Sequence, residues 1–227
     1  MTKSEAILLR GKGVSRRFER AGAGVAAIED ANFEVVAGSR IALVGPSGSG
    51  KSTLLHLMAG FLNPSAGSVS WVALDPEGIG RSERIAVVFQ APSLVPWLDA
   101  TENVMVPLLL QGLDERSARE QAEKALASLS LTEIAAKLPE ELSGGEAQRV
   151  AVARAMVQNA KLLLADEPTG QLDQETAREV MSALAHAADF NGAALVVATH
   201  DAGIAATLPL VWRMEHGRLD VAPGAPI

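Results

Sequence analysis

The sequence predicts an α/β protein with a mostly parallel sheet, an N-terminal antiparallel β layer and an α-helical subdomain inserted into the core. Three observations carry this expectation. Four apolar runs each stop at polar or Gly-rich residues, as buried parallel strands do where their carboxyl ends open onto a ligand crevice. Short stretches near the N terminus alternate apolar and polar residues, the period of a strand with one solvated face. Between residues 91 and 158 the period becomes that of amphipathic helices.

Along the chain, residues 7–10, 31–36 and 68–72 carry the alternation and are expected to form the antiparallel layer. The first apolar run, 41–44, leads directly into Gly45-Pro46-Ser47-Gly48-Ser49-Gly50-Lys51-Ser52. This fits the phosphate-binding pattern G-x-x-x-x-G-K-[ST], in which glycines let backbone N–H groups close around phosphate oxygens. Lys51 is expected to bridge the β- and γ-phosphates and Ser52 to ligate Mg²⁺. Thr53 opens the helix expected over 53–58. The fold class is therefore a P-loop NTPase core.

The second run, 85–89, stops at Gln90; the third, 162–165, at Asp166-Glu167; the fourth, 195–199, at His200. A purely structural α/β domain has no reason to deliver polar groups repeatedly to one sheet edge. In the helical region, Ala118, Ala122, Ala125, Leu126 and Leu129 share one face, with Asp114 as N-cap. A further helix is expected from about Ser143 through Val150, Ala153 and Arg154 towards Val157. We read one domain, with core 1–90 and 159–227 and helical subdomain 91–158.

Composition narrows the function. At 227 residues the chain is long enough for a sizeable core, and a net charge of −7 with pI near 5.2 gives no global attraction to nucleic acid or anionic lipid. With no cysteine, disulfides and thiolate metal sites are excluded. The first residues lack an apolar signal core, and the greasiest stretches fall far short of the ~20 residues of a membrane helix. A soluble protein is expected, linked to any membrane only through a partner.

A second Gly-rich turn, Leu142-Ser143-Gly144-Gly145-Glu146, also opens a helix, and helix N-termini attract anions. One nucleotide has little need of two phosphate cradles, so the second is expected to serve a nucleotide held by another copy. Together the two cradles resemble the ATP-binding subunits of ABC transporters, and the resemblance runs over almost the whole chain.

The resemblance implies ATP and Mg²⁺ as cofactors and a head-to-tail homodimer closing around two ATP. It implies that Asp166 and Gln90 join Ser52 around Mg²⁺, that Glu167 is the general base, and that His200 touches the γ-phosphate. Ser143, Gly144 and Gly145 would complete the partner's site, and Asp173 would couple the two sites; a plain N-cap role for Asp173 is compatible with this. The family stacks adenine on an aromatic residue ahead of the P-loop; this chain has no tyrosine, and Phe18 is the candidate, with a core role as the alternative. Glu146 departs from the glutamine common in the signature. The partners implied are integral-membrane permease subunits, with no nucleic acid, and the location is cytoplasmic, peripheral on the inner face of the membrane.

Within the family, Ala165-Asp166-Glu167-Pro168-Thr169-Gly170-Gln171-Leu172-Asp173 resembles the lipoprotein-releasing and macrolide-exporting ATPases. Leu94-Val95-Pro96-Trp97-Leu98 is instead similar to nitrate/taurine importer ATPases, which makes Trp97 either a docking residue or a core residue of the helical subdomain. ABC-type ATPases acting on DNA or ribosomes typically carry coiled-coil arms, zinc cysteines or two ATPase domains, none of which occurs here. A switch GTPase would need a guanine-specifying N-K-x-D, which is also missing.

Overall fold

The computed structural model describes residues 6–20, 23–74 and 84–221. Strands β1 (Ile7–Arg20) and β2 (Ala23–Val36) form a long antiparallel hairpin, and β4 (Ala66–Ser70) pairs with the other edge of β1. The expected strands at 7–10 and 31–36 are only the inner halves of this hairpin. Its outer halves run through Gly-bearing and charged residues, where pairing rather than alternation sustains the strands. Register slips once near the tip: Arg16 pairs with Ile28 but Arg17 with Ala26, leaving Ala27 unmatched as a β-bulge.

The main sheet contains β3 (Arg40–Val44), β5 (Ile85–Val88), β6 (Leu162–Asp166), β7 (Ala194–Thr199) and β8 (Leu210–Glu215), with β9 (Arg218–Asp220) at one edge. Their spatial order is β5-β6-β7-β3-β8-β9; the first five are parallel and β9 is antiparallel to β8. The four apolar runs supply four of these strands. β8 and β9 have no counterpart in the sequence reading, because β8 is only partly buried and β9 spans 3 residues.

Both sheet faces are covered, which is why the runs are apolar without alternation. Leu162, Leu164, Val196 and Ala198 pack with Ile41, Leu43 and the inner hairpin residues Leu9, Ile28 and Phe33. Leu163, Ala165, Leu195 and Val197 face the opposite layer, built from helices. Each buried Leu or Val contributes about 1.5–3 kcal/mol relative to exposure.

Helix α1 (Lys51–Ala59) follows β3. Helices α2 (Ala100–Leu110), α3 (Glu115–Ser128) and α4 (Gly144–Met156) lie between β5 and β6, α5 (Gln174–Asn191) links β6 to β7, and a short α6 (Ala202–Ala205) follows β7. Asp99, Asp114, Ser143, Asp173 and Asp201 cap α2 to α6 by accepting from backbone N–H groups. The Ala118–Ala122–Ala125–Leu126 stripe is buried as its spacing predicts. No helix among the described residues is long and apolar enough to cross a membrane.

Candidate functional site

The site begins where β3 gives way to α1. Helix α1 has no side-chain cap at Gly50, so its first N–H groups face the loop unclaimed by any capping side chain. Two glycines fix the loop against its neighbours. A Cβ on Gly45 would stand 2.1 Å from the Met214 carbonyl oxygen of β8, and one on Gly50, whose φ is 109°, would stand 2.4 Å from that of bulged Ala27. Gly217 N–H donates to the Ser49 carbonyl at 3.0 Å. Pro46, Ser47 and Gly48 form the exposed apex, Ser49 is buried with an unpartnered hydroxyl, and Thr53 is half-buried in the first turn of α1.

Lys51 is only 5% exposed, far less than a surface lysine. Its ammonium folds back into the loop, donating to the Gly45 carbonyl at 2.8 Å and the Pro46 carbonyl at 3.2 Å. A buried cation, an uncapped helix N-terminus and a loop pinned at two glycines that leave no room for a Cβ together fit a nucleotide polyphosphate.

Ser52 Oγ donates to Asp166 Oδ1 at 3.0 Å. Burial pushes the Asp166 carboxyl above its usual range, opposed by the Ser52 hydrogen bond. Among the described residues no group of three or more His, Cys, Asp or Glu could hold a metal ion. Mg²⁺ normally needs one or two carboxylates and fills its remaining positions with water and substrate phosphate, so the Ser52–Asp166 pair fits it.

Glu167 follows at the end of β6 with φ 47°, a left-handed backbone that costs a non-glycine residue energy and commonly marks functional sites. Its N–H donates to the Ala198 carbonyl at 2.9 Å, which ties the turn to β7. Its carboxylate lies between Lys51 Nζ, 3.2 Å from Oε1, and His200 Nδ1, 2.8 Å from Oε2. Since an ionised carboxylate only accepts, the His200 Nδ1 must carry the proton. Gln90 is exposed, and its Nε2 would be 3.3 Å from a Cβ on Gly170, against the turn that Gly170 N–H closes onto the Glu167 carbonyl.

The other expected residues form a separate group. Ser143 and Glu146 make a reciprocal capping box: Ser143 N–H donates to Glu146 Oε2 at 2.8 Å, and Glu146 N–H to Ser143 Oγ at 3.2 Å. A glutamate completes this box as a glutamine would, so the departure at 146 leaves the local geometry intact. A Cβ on Gly145 would stand 2.1 Å from Thr176 Cγ2, so glycine there permits the close approach of α4 and α5. One on Gly144 would stand 3.4 Å from Leu172. Asp173 caps α5 through Glu175 and Thr176 and also accepts from the Thr176 hydroxyl at 2.7 Å. Those bonds hold its carboxyl below the usual range. Thr176 thereby links Gly145 and Asp173, while no hydrogen bond or ion pair among the described residues joins this group to Lys51 or Ser52.

Exposure removes the core alternative for two residues. Phe18 is 37% exposed with the Arg16 guanidinium carbon 4.8 Å from its ring centroid, so it is no core residue. Trp97 is 77% exposed, which overturns the core alternative for it.

The sequence reading missed the residues that brace the segment after β5. Gln148 Nε2 donates to the Phe89 carbonyl, Arg154 to those of Pro92 and Ser93, and Asn103 to those of Val95, Leu98 and Asp99. Asn103 Oδ1 also accepts from Val95 N–H at 2.7 Å. A lone amide on an otherwise apolar helix face was the available signal: Asn103 and Gln148 are essentially fully buried.

These features define a P-loop nucleotide hydrolase. The family profile described as ABC transporter matches residues 28–170. The lipoprotein-releasing system ATP-binding protein LolD of Gluconobacter oxydans is 42% identical over 219 residues, covering 93% of this chain and 94% of the relative. LolD of Chromohalobacter salexigens is 39% identical over 220 residues, covering 94% and 93%. The dimeric structure of the ATP-binding cassette MJ0796 in a post-hydrolysis state bound to ADP and Pi superposes with TM-score 0.83 at 30% identity, covering 96% of this chain and all of that one. The chain belongs to the ABC transporter family, as an ATP-binding subunit that hydrolyses ATP to drive transport.

Proposed function

We propose that this chain powers a lipoprotein-releasing ABC system as a head-to-tail homodimer around two Mg-ATP, seated on integral-membrane permease subunits at the inner face of the membrane. The LolD relatives, matched across more than nine-tenths of this chain, support that system over a nitrate/taurine-type importer. The observation that carries the chemistry is the Glu167 carboxylate, held between Lys51 and His200 at the strand-end edge.

In this reading Lys51 and the N–H groups at the start of α1 bind the β- and γ-phosphate oxygens. Ser52, Asp166 and Gln90 would hold Mg²⁺, which would supply charge neutralisation at those oxygens. Glu167 takes a proton from the attacking water, and its depth in the site excludes bulk solvent from that step. His200 donates through Nδ1 to the Glu167 carboxylate, and donation from its second ring nitrogen to the terminal phosphate requires the doubly protonated ring. Phe18 offers its ring to adenine. Ser143, Gly144 and Gly145 of one copy close on the nucleotide of the other, and Asp173, tied to Gly145 through Thr176, links the two sites. Residues 91–158 form the helical subdomain that meets the permease.

The test is affinity purification of the full chain from a detergent extract of its native host, with ATP present. An integral-membrane permease should co-purify and stimulate phosphate release. Recovery of ribosomes or nucleic acid without any membrane protein would overturn the transporter assignment.

A further inference from the structure

We infer that Arg16 is a positioning residue for the nucleotide base: it covers one face of Phe18 and fixes the ring, so that a purine stacks on the other face. This rests on the reading of Phe18 as the base platform.

The geometry begins at the bulge. Ala27 is left unmatched where the register shifts between Arg16 and Arg17, and its carbonyl abuts Gly50 of the P-loop. Beyond it, Phe18 pairs directly with Val25, and both side chains are exposed at 37% and 52%. Phe18 lies two residues along β1 from Arg16, roughly 7 Å at ~3.3 Å per residue. The apolar Phe18–Val25 pair therefore projects past the phosphate loop along a strand anchored to it.

Arg16 is held on its own account. Its Nη1 donates to the Asn63 carbonyl at 2.9 Å, its Nε is buried, and its guanidinium lies over the Phe18 ring. The same segment braces the neighbouring backbone: Ser65 N–H donates to the Ser15 carbonyl at 2.7 Å and Arg17 N–H to Ser65 Oγ at 3.1 Å. That segment leaves the C-terminal end of α1, whose N-terminus is the phosphate cradle. Cradle and platform thus belong to one braced unit, and Arg16 is the side chain that joins the brace to the ring. A guanidinium on one aromatic face also draws on the ring's π density and leaves only the opposite face for a base.

The experiment measures ATP and tripolyphosphate affinity by calorimetry on the full chain, with kcat and KM, for Arg16→Ala, Arg16→Lys and Phe18→Ala. Arg16→Ala should weaken ATP binding about three- to tenfold, the range of a cation–π contact plus a freed ring. It should leave kcat and tripolyphosphate affinity unchanged, and Arg16→Lys should restore part of the loss. If Arg16→Ala binds ATP normally while Phe18→Ala does not, the role of Arg16 is refuted and the platform stands. If Phe18→Ala also binds normally, the platform reading itself fails. An equal loss of tripolyphosphate affinity in Arg16→Ala would mean the cradle is disturbed, and would overturn the inference.

Discussion

Lys51 Nζ and Glu167 Oε1 lie 3.2 Å apart, so the cation of the phosphate loop is paired with the carboxylate at the end of β6. Both side chains are largely withdrawn from solvent, at 5% and 14% exposure. The three donors of Lys51 are shared among Glu167 and the Gly45 and Pro46 carbonyls, so an incoming phosphate displaces one of these acceptors, and exchange with Glu167 would release the carboxylate for water.

Glu167→Gln accordingly has two separable consequences. Loss of a positioned base should cut phosphate release by about 10²–10⁴-fold. Removing the competing charge should tighten ATP binding roughly fivefold, if the pair is worth about 1 kcal/mol. Stopped-flow binding and phosphate release on the same preparation measure both. Wild-type turnover in the variant would sink the base assignment, and unchanged affinity would show that the pair does not compete with phosphate.

Dimerisation can be probed without disturbing the monomer. In a Glu167→Gln background, ATP should drive a stable dimer in size-exclusion chromatography and ADP should not. Adding Ser143→Asp keeps a good N-cap on α4, since Asp and Ser rank alike there, but sets a negative charge against the partner's phosphate. The double variant should elute as a monomer with its melting temperature within about 2 °C of the parent. A dimer persisting in it would count against the nucleotide sandwich.

Glu146 gives a pH signature. The Ser143 backbone and side-chain hydrogen bonds depress its carboxyl below the ordinary 4.5. A depressed carboxylate contributes stability present above the unfolded-state value and lost as pH falls through the folded value. The melting temperature of the wild type minus that of Glu146→Gln should therefore be small and positive near neutrality and shrink steadily as pH drops from about 4.5 downward. A difference independent of pH between 3 and 7, by order of magnitude the carboxylate range, would show that the box gains nothing from the charge.

What the sequence made legible follows from how each feature is encoded. Asp166 ends, and the phosphate loop, Glu167 and His200 immediately follow, strands buried on both faces, and such strands are written as unbroken apolar runs. The caps Asp114 and Asp173 are equally local, each acting on N–H groups two or three residues on. The outer hairpin was hidden because Arg16, Arg17 and Glu19 sit in a strand sustained by cross-strand pairing and a bulge, which no short window records. Asn103 and Arg154 escaped for a related reason: their partners lie in a loop whose path is set by tertiary packing. The left-handed backbone of Glu167 has no sequence mark at all.

Trp97 and Asn103 should separate surface from scaffold within one loop. Asn103 is fully buried and lies within hydrogen-bond reach of four backbone groups of residues 95–99. The Val95 and Asp99 carbonyls also accept from backbone N–H groups, so truncating it strands chiefly the Val95 N–H and the Leu98 carbonyl away from water. Asn103→Ala should cost roughly 2–4 kcal/mol, at ~2–4 °C of melting temperature per kcal/mol for a chain of this size. It should weaken permease binding only through loss of the loop. Trp97 is held out by that scaffold at 77% exposure, so Trp97→Ala should leave the melting temperature and the basal ATPase of the isolated chain unchanged. If its ring is an anchor for a cytoplasmic segment of the permease, co-purification should fall by an order of magnitude, the ~1.4 kcal/mol typical of a modest interface hot spot. A Trp97→Ala protein that melts early would refute its surface role, and one that retains the permease at wild-type yield would remove it from the docking surface.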